Sequence, residues 1–183
     1  MGRSTCLLSR SGKPRCCPLI LATVGTHEDP FNRLLDELDS LVEGGVISEP
    51  VICQSGYCTS TPKHVECHKQ LPFDSLQELM SQARLIITHG GPASIMQALA
   101  HGVIPIVVPR QADFGEHVDN HQCRFAEKMS DRVLTVFDIA DLESTIREYA
   151  DRIKALPTTD AGPERAKVFA GKLDTLCWEV LSR

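Results

Sequence analysis

The sequence predicts an α/β domain built on one mostly parallel sheet with helices on both faces, an expectation resting on three observations. Short apolar, partly β-branched runs begin at Leu19, Pro50, Leu85, Val103 and Val133, as strands buried on both faces require. Between most of them lie segments whose apolar residues repeat at helical spacing. Several runs end at glycines: Gly25, Gly56 and the pair Gly90-Gly91. Strands alternating with helices imply parallel pairing through crossovers, a Rossmann-like layer.

Taken in order, Leu19 to Val24 is the first buried strand, ending at Gly25-Thr26-His27. Asp29 is placed to cap, and Pro30 to open, a helix bearing Phe31, Leu34, Leu35, Leu38, Leu41 and Val42 on one face, stopped by Gly44-Gly45. Pro50 to Gln54 is a second strand leading to Gly56, and His64 to His68 a weaker third. Asp74 with Gln77 reads as a capping pair for a short helix carrying Leu76, Leu79 and Met80. Leu85 to Ile87 is a strand broken by Gly90-Gly91. Pro92 suits a first helical turn, and Ile95, Met96, Leu99 and Ala100 supply the apolar stripe that follows. Val103 to Pro109 is a further strand, ending in a polar loop from Arg110 to Asn120, with a helix expected from about Glu116. Val133 to Phe137 is the last strand, and Ile139, Leu142, Ile146, Tyr149 and Ile153 mark one helix after it. A linker from Leu156 to Gly162 precedes a terminal helix that starts at Pro163 and contains Trp178.

The organisation follows from this order. Residues 1–17 hold Arg3, Arg10, Lys13 and Arg15 with no acid and no periodicity, and are expected to be a disordered basic extension. Residues 18–156 form the domain, and residues 157–183 a helix packing on it or on a partner. A chain of 183 residues suits one core of ordinary size. With 19 basic and 24 acidic residues it is mildly acidic, which argues against a nucleic-acid surface. It has no run of 18 apolar residues of the kind that spans a bilayer. The eight cysteines, without an export signal, are expected to be reduced thiols. Cys53, Cys58, Cys67 and His68 lack the Cys-x-x-Cys spacing of a zinc knuckle, while Cys53 and Cys67 lie in strand-like runs as small core residues. No metal is expected.

The chemistry is concentrated at strand ends. From Leu85 to Gln97 the order is strand, glycine turn, helix N-terminus. Free N–H groups and the positive end of the helix dipole then face the space above the strand, and two glycines let an anion approach the backbone. The same pattern also serves as a tight packing connection. The next strand end opens onto Gln111, Asp113, Glu116, His117, Asp119 and Asn120, and open α/β sheets bind ligands at such edges.

Several of these loops together resemble a known family. Thr23-Val24-Gly25-Thr26-His27-Glu28, Thr88-His89-Gly90-Gly91, Ser94-Ile95-Met96, Ile106 to Arg110 and Phe114 to Gln122 look like the C-terminal domain of family 28 glycosyltransferases. The likeness covers roughly residues 18 to 150. It is strongest to the small catalytic subunits of two-component polysaccharide glycosyltransferases, and extends to the catalytic subunit of the dolichol-linked UDP-GlcNAc transferase. The resemblance implies one half of a GT-B fold that binds a UDP-sugar, as substrate rather than cofactor, and transfers a hexose or its derivative to a lipid-linked saccharide acceptor. It implies a membrane-associated partner subunit carrying the acceptor site, and a cytoplasmic protein peripheral to the membrane through that partner. By position, Gly90, Gly91 and Ser94 would face the pyrophosphate, with Gly25, Thr26, Gly56 and His89 around them. Gln97 would face the ribose, and Asn120, His121 and Gln122 the donor sugar. His27 and His117 are the candidate bases. Pro92 and Ala93 stand where the family usually has a small residue and a glycine, and Gln97 where a glutamate is usual. A neutral glutamine bonds a hydroxyl about half as strongly as a charged partner. Weakened donor binding, in a non-catalytic nucleotide-sugar-binding or scaffolding protein, is therefore the alternative expectation.

Overall fold

In the computed structural model, residues 18–156 are described. They comprise β1 (Leu19–Thr23), α1 (Asn32–Glu43), β2 (Val51–Gln54), β3 (Glu66–His68), α2 (Phe73–Gln82), β4 (Ala83–Thr88), α3 (Pro92–Ala100), β5 (Ile106–Val107), α4 (His121–Lys128), β6 (Leu134–Thr135), α5 (Leu142–Arg147) and α6 (Tyr149–Ala155). The expected basic extension, the linker beyond Leu156 and the terminal helix with Trp178 lie outside the described residues.

The strands form one sheet in the order β3-β2-β1-β4-β5-β6, with every pair parallel. All strand carboxyl ends therefore share one edge. The chain leaves β1 in one direction toward β2 and β3, then returns to pair β4 on the other side of β1. The β1/β4 boundary is the switch point where open α/β sheets form a crevice.

Alternation along the strands divides the core. Ile20, Ala22 and Val24 pack with Leu85 and Ile87 against Phe31, Leu34, Leu35 and Leu38 of the α1 segment and Leu142, Ile146 and Tyr149 of α5 and α6. On the opposite face, Leu19, Leu21 and Ile86 meet Met80 of α2 and Ala98 of α3, and Val107 meets Ile95 and Ala126. Each such aliphatic side chain, fully buried, contributes about 1.5–3 kcal/mol. Helices thus cover both faces, as expected.

Several local expectations are corrected. Helix α1 starts at Asn32, after Phe31, without a side-chain cap. Asp29 is occupied elsewhere: its N–H donates to His27 Nδ1 at 3.2 Å and its carbonyl accepts from Arg110. Asp74 and Gln77 do not cap α2, which begins at Phe73 after Pro72 with no side-chain bond. Gln77 Oε1 instead accepts from His101 Nε2 at 2.8 Å. The helix expected from Glu116 begins at His121, because Gly115 adopts φ +67° and Glu116 turns inward. The runs at Val103 and Val133 yield strands of only two residues each. Pro105 and Pro109 bracket the first and lack the ladder N–H, although Val108 N still bonds Thr88 O at 2.8 Å. The single helix expected after the last strand is a 3-10 turn over Ile139–Asp141 followed by α5 and α6, which meet at Glu148. Cys53 is buried in β2, whereas its register partner Cys67, on edge strand β3, is exposed rather than in the core.

Candidate functional site at the carboxyl edge of the sheet

The loops after β1, β2, β4 and β5 converge above the switch point through unusually close backbone approaches. Gly25 has φ +82° and Gly56 φ +54°, a region that favours glycine. A Cβ on Gly56 would lie 2.5 Å from the carbonyl oxygen of Gly25, so these two loops touch backbone to backbone. The His89 imidazole fills the space between Gly25 and Gly91. A Cβ at Gly25 would come within 2.6 Å of His89 Nε2, and one at Gly91 would overlap the same atom. At Gly90 a Cβ would lie 2.7 Å from Gln122 Cβ and 3.1 Å from Pro109 Cβ. The glycine pair expected to admit an anion therefore admits two side chains of the protein itself.

His89 is held by its N–H to Thr23 O at 3.1 Å, beside the Thr23–Thr88 hydroxyl pair at 2.9 Å. Burial, and after it the positive charge of Arg110, lower its pKa to about 4. The ring is a neutral imidazole at neutral pH.

Beside it opens a cavity of about 230 Å³, lined by Thr23, Gly25, Thr26 and Gln54, by His89 and Gly91 to Ser94, and by Leu76 and Met80 of α2. Helix α3 has Gly91 at its cap, Pro92 in its first turn and no side-chain cap. Its first helical bond runs from Ile95 N to Gly91 O at 3.2 Å. The N–H groups of Ala93 and Ser94 are thus left without an intrahelical partner at the positive end of the dipole. A polar rim with an apolar wall suits a ligand that is anionic at one end and flat and apolar at the other.

The β5–α4 loop is built differently. Arg110 is fully buried: Nε and Nη2 donate to Val24 O at 3.2 and 2.8 Å, and Nη1 donates to Asp29 O at 2.7 Å and Glu116 O at 2.9 Å. Its guanidinium lies over the Phe31 ring, 5.0 Å from the centroid. The Glu116 carboxylate accepts from Arg33 at 2.9 and 3.0 Å and from Gln111 N at 3.0 Å. Gln122 Oε1 accepts from Arg110 N at 3.2 Å, and Asn120 Oδ1 from Ala112 N at 2.8 Å. Beyond this frame, the His27 and His117 rings pack at 37° to each other with centroids 4.1 Å apart, and His117 meets His121 edge-on at 4.5 Å. Burial first, then His27 and His121, push the His117 pKa down.

Of the residues expected at the site, Gly25, Thr26, His89, Gly91 and Ser94 line the cavity, while Gly56 and Gly90 back it through close packing. Gln97 lies farther along α3 and is absent from the lining. Asn120 and Gln122 use their carbonyl oxygens to shape the loop. His27, His117 and His121 form a separate histidine cluster. The sequence put Leu76 and Met80 on the apolar face of a helix and Gln54 and Arg110 at strand ends, but gave none of them, nor Arg33, a part in the site. An arginine directly after a buried apolar strand was the available signal for Arg110.

Comparison with known proteins agrees with this geometry. The model of the glycosyltransferase family 28 C-terminal domain matches residues 19–172. Over 73 residues the chain is 36% identical to the UDP-N-acetylglucosamine–N-acetylmuramyl-(pentapeptide) pyrophosphoryl-undecaprenol N-acetylglucosamine transferase of Bdellovibrio bacteriovorus, a match covering 38% of this chain and 19% of that protein. Among solved structures, the glycotransferase of kitacinnamycin superposes with a TM-score of 0.54 at 22% identity, covering 78% of this chain and 39% of that one. MurG of Acinetobacter baumannii superposes with a TM-score of 0.50 at 19% identity, covering 73% and 41% respectively. The chain thus spans less than half the length of each, and shares the α/β layering of one half of a GT-B fold.

Proposed function

The chain belongs to the glycosyltransferase family 28 C-terminal domain, and from that premise we propose that it is the donor-binding, catalytic subunit of a UDP-sugar-dependent transferase acting on a lipid-linked saccharide. The observation that carries this reading is the cavity at the switch point, with the free N–H groups of α3 on its rim and Leu76 and Met80 on its wall. The diphosphate lies at the α3 N-terminus beside Ser94 and Thr26, and the base reaches toward α2. As the sugar–phosphate bond breaks, negative charge grows on UDP. A preorganised helix end aimed at it stabilises that charge without a metal. His117, with a depressed pKa, and His27 packed against it are the bases available for an acceptor hydroxyl.

The acceptor class is supported by the printed name of the curated relative, a transferase acting on an undecaprenol-linked saccharide. The chain's resemblance to the small catalytic subunits of two-component polysaccharide glycosyltransferases supports a membrane-associated partner that presents the acceptor. The chain accordingly works in the cytoplasm, at the membrane through that partner, and engages no nucleic acid. The absence of Gln97 from the cavity lining favours one other reading, a nucleotide-sugar-binding protein without transferase activity.

The test is calorimetric titration of the full chain with UDP and with UDP-sugars in metal-free buffer. UDP is expected to bind and Ser94→Glu to abolish binding, by placing a carboxylate where the phosphates sit. No heat at millimolar UDP, or binding indifferent to Ser94→Glu, overturns the donor site. Turnover that stays absent when Ala93→Gly and Gln97→Glu tighten binding would favour the second reading.

A further inference from the structure

Outside the cavity, the turn leading into α4 brings His117, Asp119 and His121 together at alternate chain positions. One nitrogen or carboxylate oxygen from each lies within 4.8 Å of the other two. We propose that these three side chains bind a divalent transition cation of the zinc class. Two imidazole nitrogens and one carboxylate oxygen suit zinc, cobalt or nickel, whereas magnesium and calcium prefer all-oxygen sites.

The geometry needs little rearrangement. Ligands at about 2.0–2.2 Å from one ion lie roughly 3–3.5 Å from each other. His121 Nδ1, now 2.5 Å from Asp119 Oδ1, must open slightly, and His117 Nδ1, now 4.0 Å from that oxygen, must close. The Asp119 and His121 side chains are about half exposed, with the Asp119 carboxylate also accepting from His121 N at 3.0 Å and from Arg124 Nη2 at 3.3 Å, whereas His117 is largely covered and is held against the His27 ring. Binding replaces the bond from Val118 N to His117 Nδ1 and the side-chain bond between His121 and Asp119 with metal–ligand contacts, while Asp119 Oδ2 keeps its pairing with Arg124. Three protein ligands leave a coordination position for water, the exchangeable form of zinc site. The other histidine–acid pairs, His27 with Asp29, His64 with Asp39 and His68 with Glu66, each bring one imidazole, and among the described residues none belongs to a three-ligand group.

This site rests on ligand geometry and not on the transferase reading. If both hold, a bound cation withdraws the His117 imidazole from base duty and inhibits transfer. The experiment is titration of the full reduced chain with cobalt(II), followed by visible absorption. A saturable spectrum without the charge-transfer band of a thiolate ligand is expected. Affinity should fall at least about tenfold in Asp119→Ala and in His121→Ala and stay unchanged in His68→Ala. No saturable absorption at millimolar cobalt overturns the site. So does thiolate-type absorption that neither variant alters, which would place the ion on cysteines.

Discussion

Two connections at the same sheet edge, β4–α3 and β5–α4, are built by opposite means. Between β4 and α3 only His89, Gly90 and Gly91 intervene, and strand, glycine turn and proline-opened helix follow from adjacent residues. Between β5 and α4 thirteen positions intervene, from Val108 to Asn120, and their shape depends on partners far away in sequence. Arg110 reaches Val24, 86 residues back, and Glu116 reaches Arg33 across 83. The first connection frames the cavity on short-range signals, and the second carries the histidines on a scaffold of side chains bonded to backbone. A short loop is thus specified by its own residues, and a long one by its anchors.

Removing the anchor should give the largest effect. Arg110→Met takes away four hydrogen bonds to the carbonyls of Val24, Asp29 and Glu116, leaving buried acceptors unpaired at about 1–3 kcal/mol each before relaxation. A net loss of about 3–5 kcal/mol is expected, read as a lower urea midpoint. Arg110→Lys should recover little of it, because an ammonium cannot reach three separated carbonyls as a planar fork does. A variant of near-native stability would mean that the loop holds its own shape and would dissolve the contrast.

The short connection has its own dependence, on one imidazole. Gly91→Ala places a Cβ onto His89 Nε2 at a backbone φ of −73° that alanine tolerates, so only the ring opposes it. The expected loss is about 2–3 kcal/mol, most of it recovered in Gly91→Ala combined with His89→Ala. Gly25→Ala meets the same ring but also sits at φ +82°. Its double variant should therefore retain a deficit of about 1–2 kcal/mol from the left-handed backbone. A thermodynamic cycle for each pair separates ring overlap from backbone strain. Equal recovery in both cycles would refute that separation.

Much of the fold was legible because its signals are periodic and local. The apolar faces of α1 and α3, the buried strands β1 and β4 and the glycine turn at Gly90-Gly91 follow from runs, spacings and glycines, whereas Gly25, Thr26, His89 and Ser94 were assigned to the site by family resemblance. What escaped is long-range. Asp29 and Asp74 are ordinary cap residues in sequence, yet the first is recruited by His27 and Arg110 and the second sits inside a helix that Pro72 starts. Glu116 has the look of a helix-opening acid, but a buried pairing with Arg33 draws it inward and delays α4 to His121. Gly90 and Gly91 signal close approach without saying whose: Gly90 meets Gln122, 32 residues away, and Gly91 meets His89 of the same turn.

Acid should separate the two connections more gently. His89 belongs to the short one, and its pKa of about 4 in the folded chain lies below the usual histidine value of about 6.5. Between those values the unfolded chain binds the proton and the folded chain resists it, so stability rises with pH through this window. The contribution is complete above about pH 6.5 and is lost as pH falls toward about 4, below which both states are protonated and the loss stops growing. From pH 7 to pH 5 the loss amounts to about 2 kcal/mol. Urea midpoints of the native chain and of His89→Gln, measured across that interval, isolate the imidazole, because every other titrating group is common to both. The native curve should fall more steeply than that of the variant. Parallel curves would mean that His89 can take up a proton between Gly25 and Gly91 without penalty, and that the short connection is looser than its glycines imply.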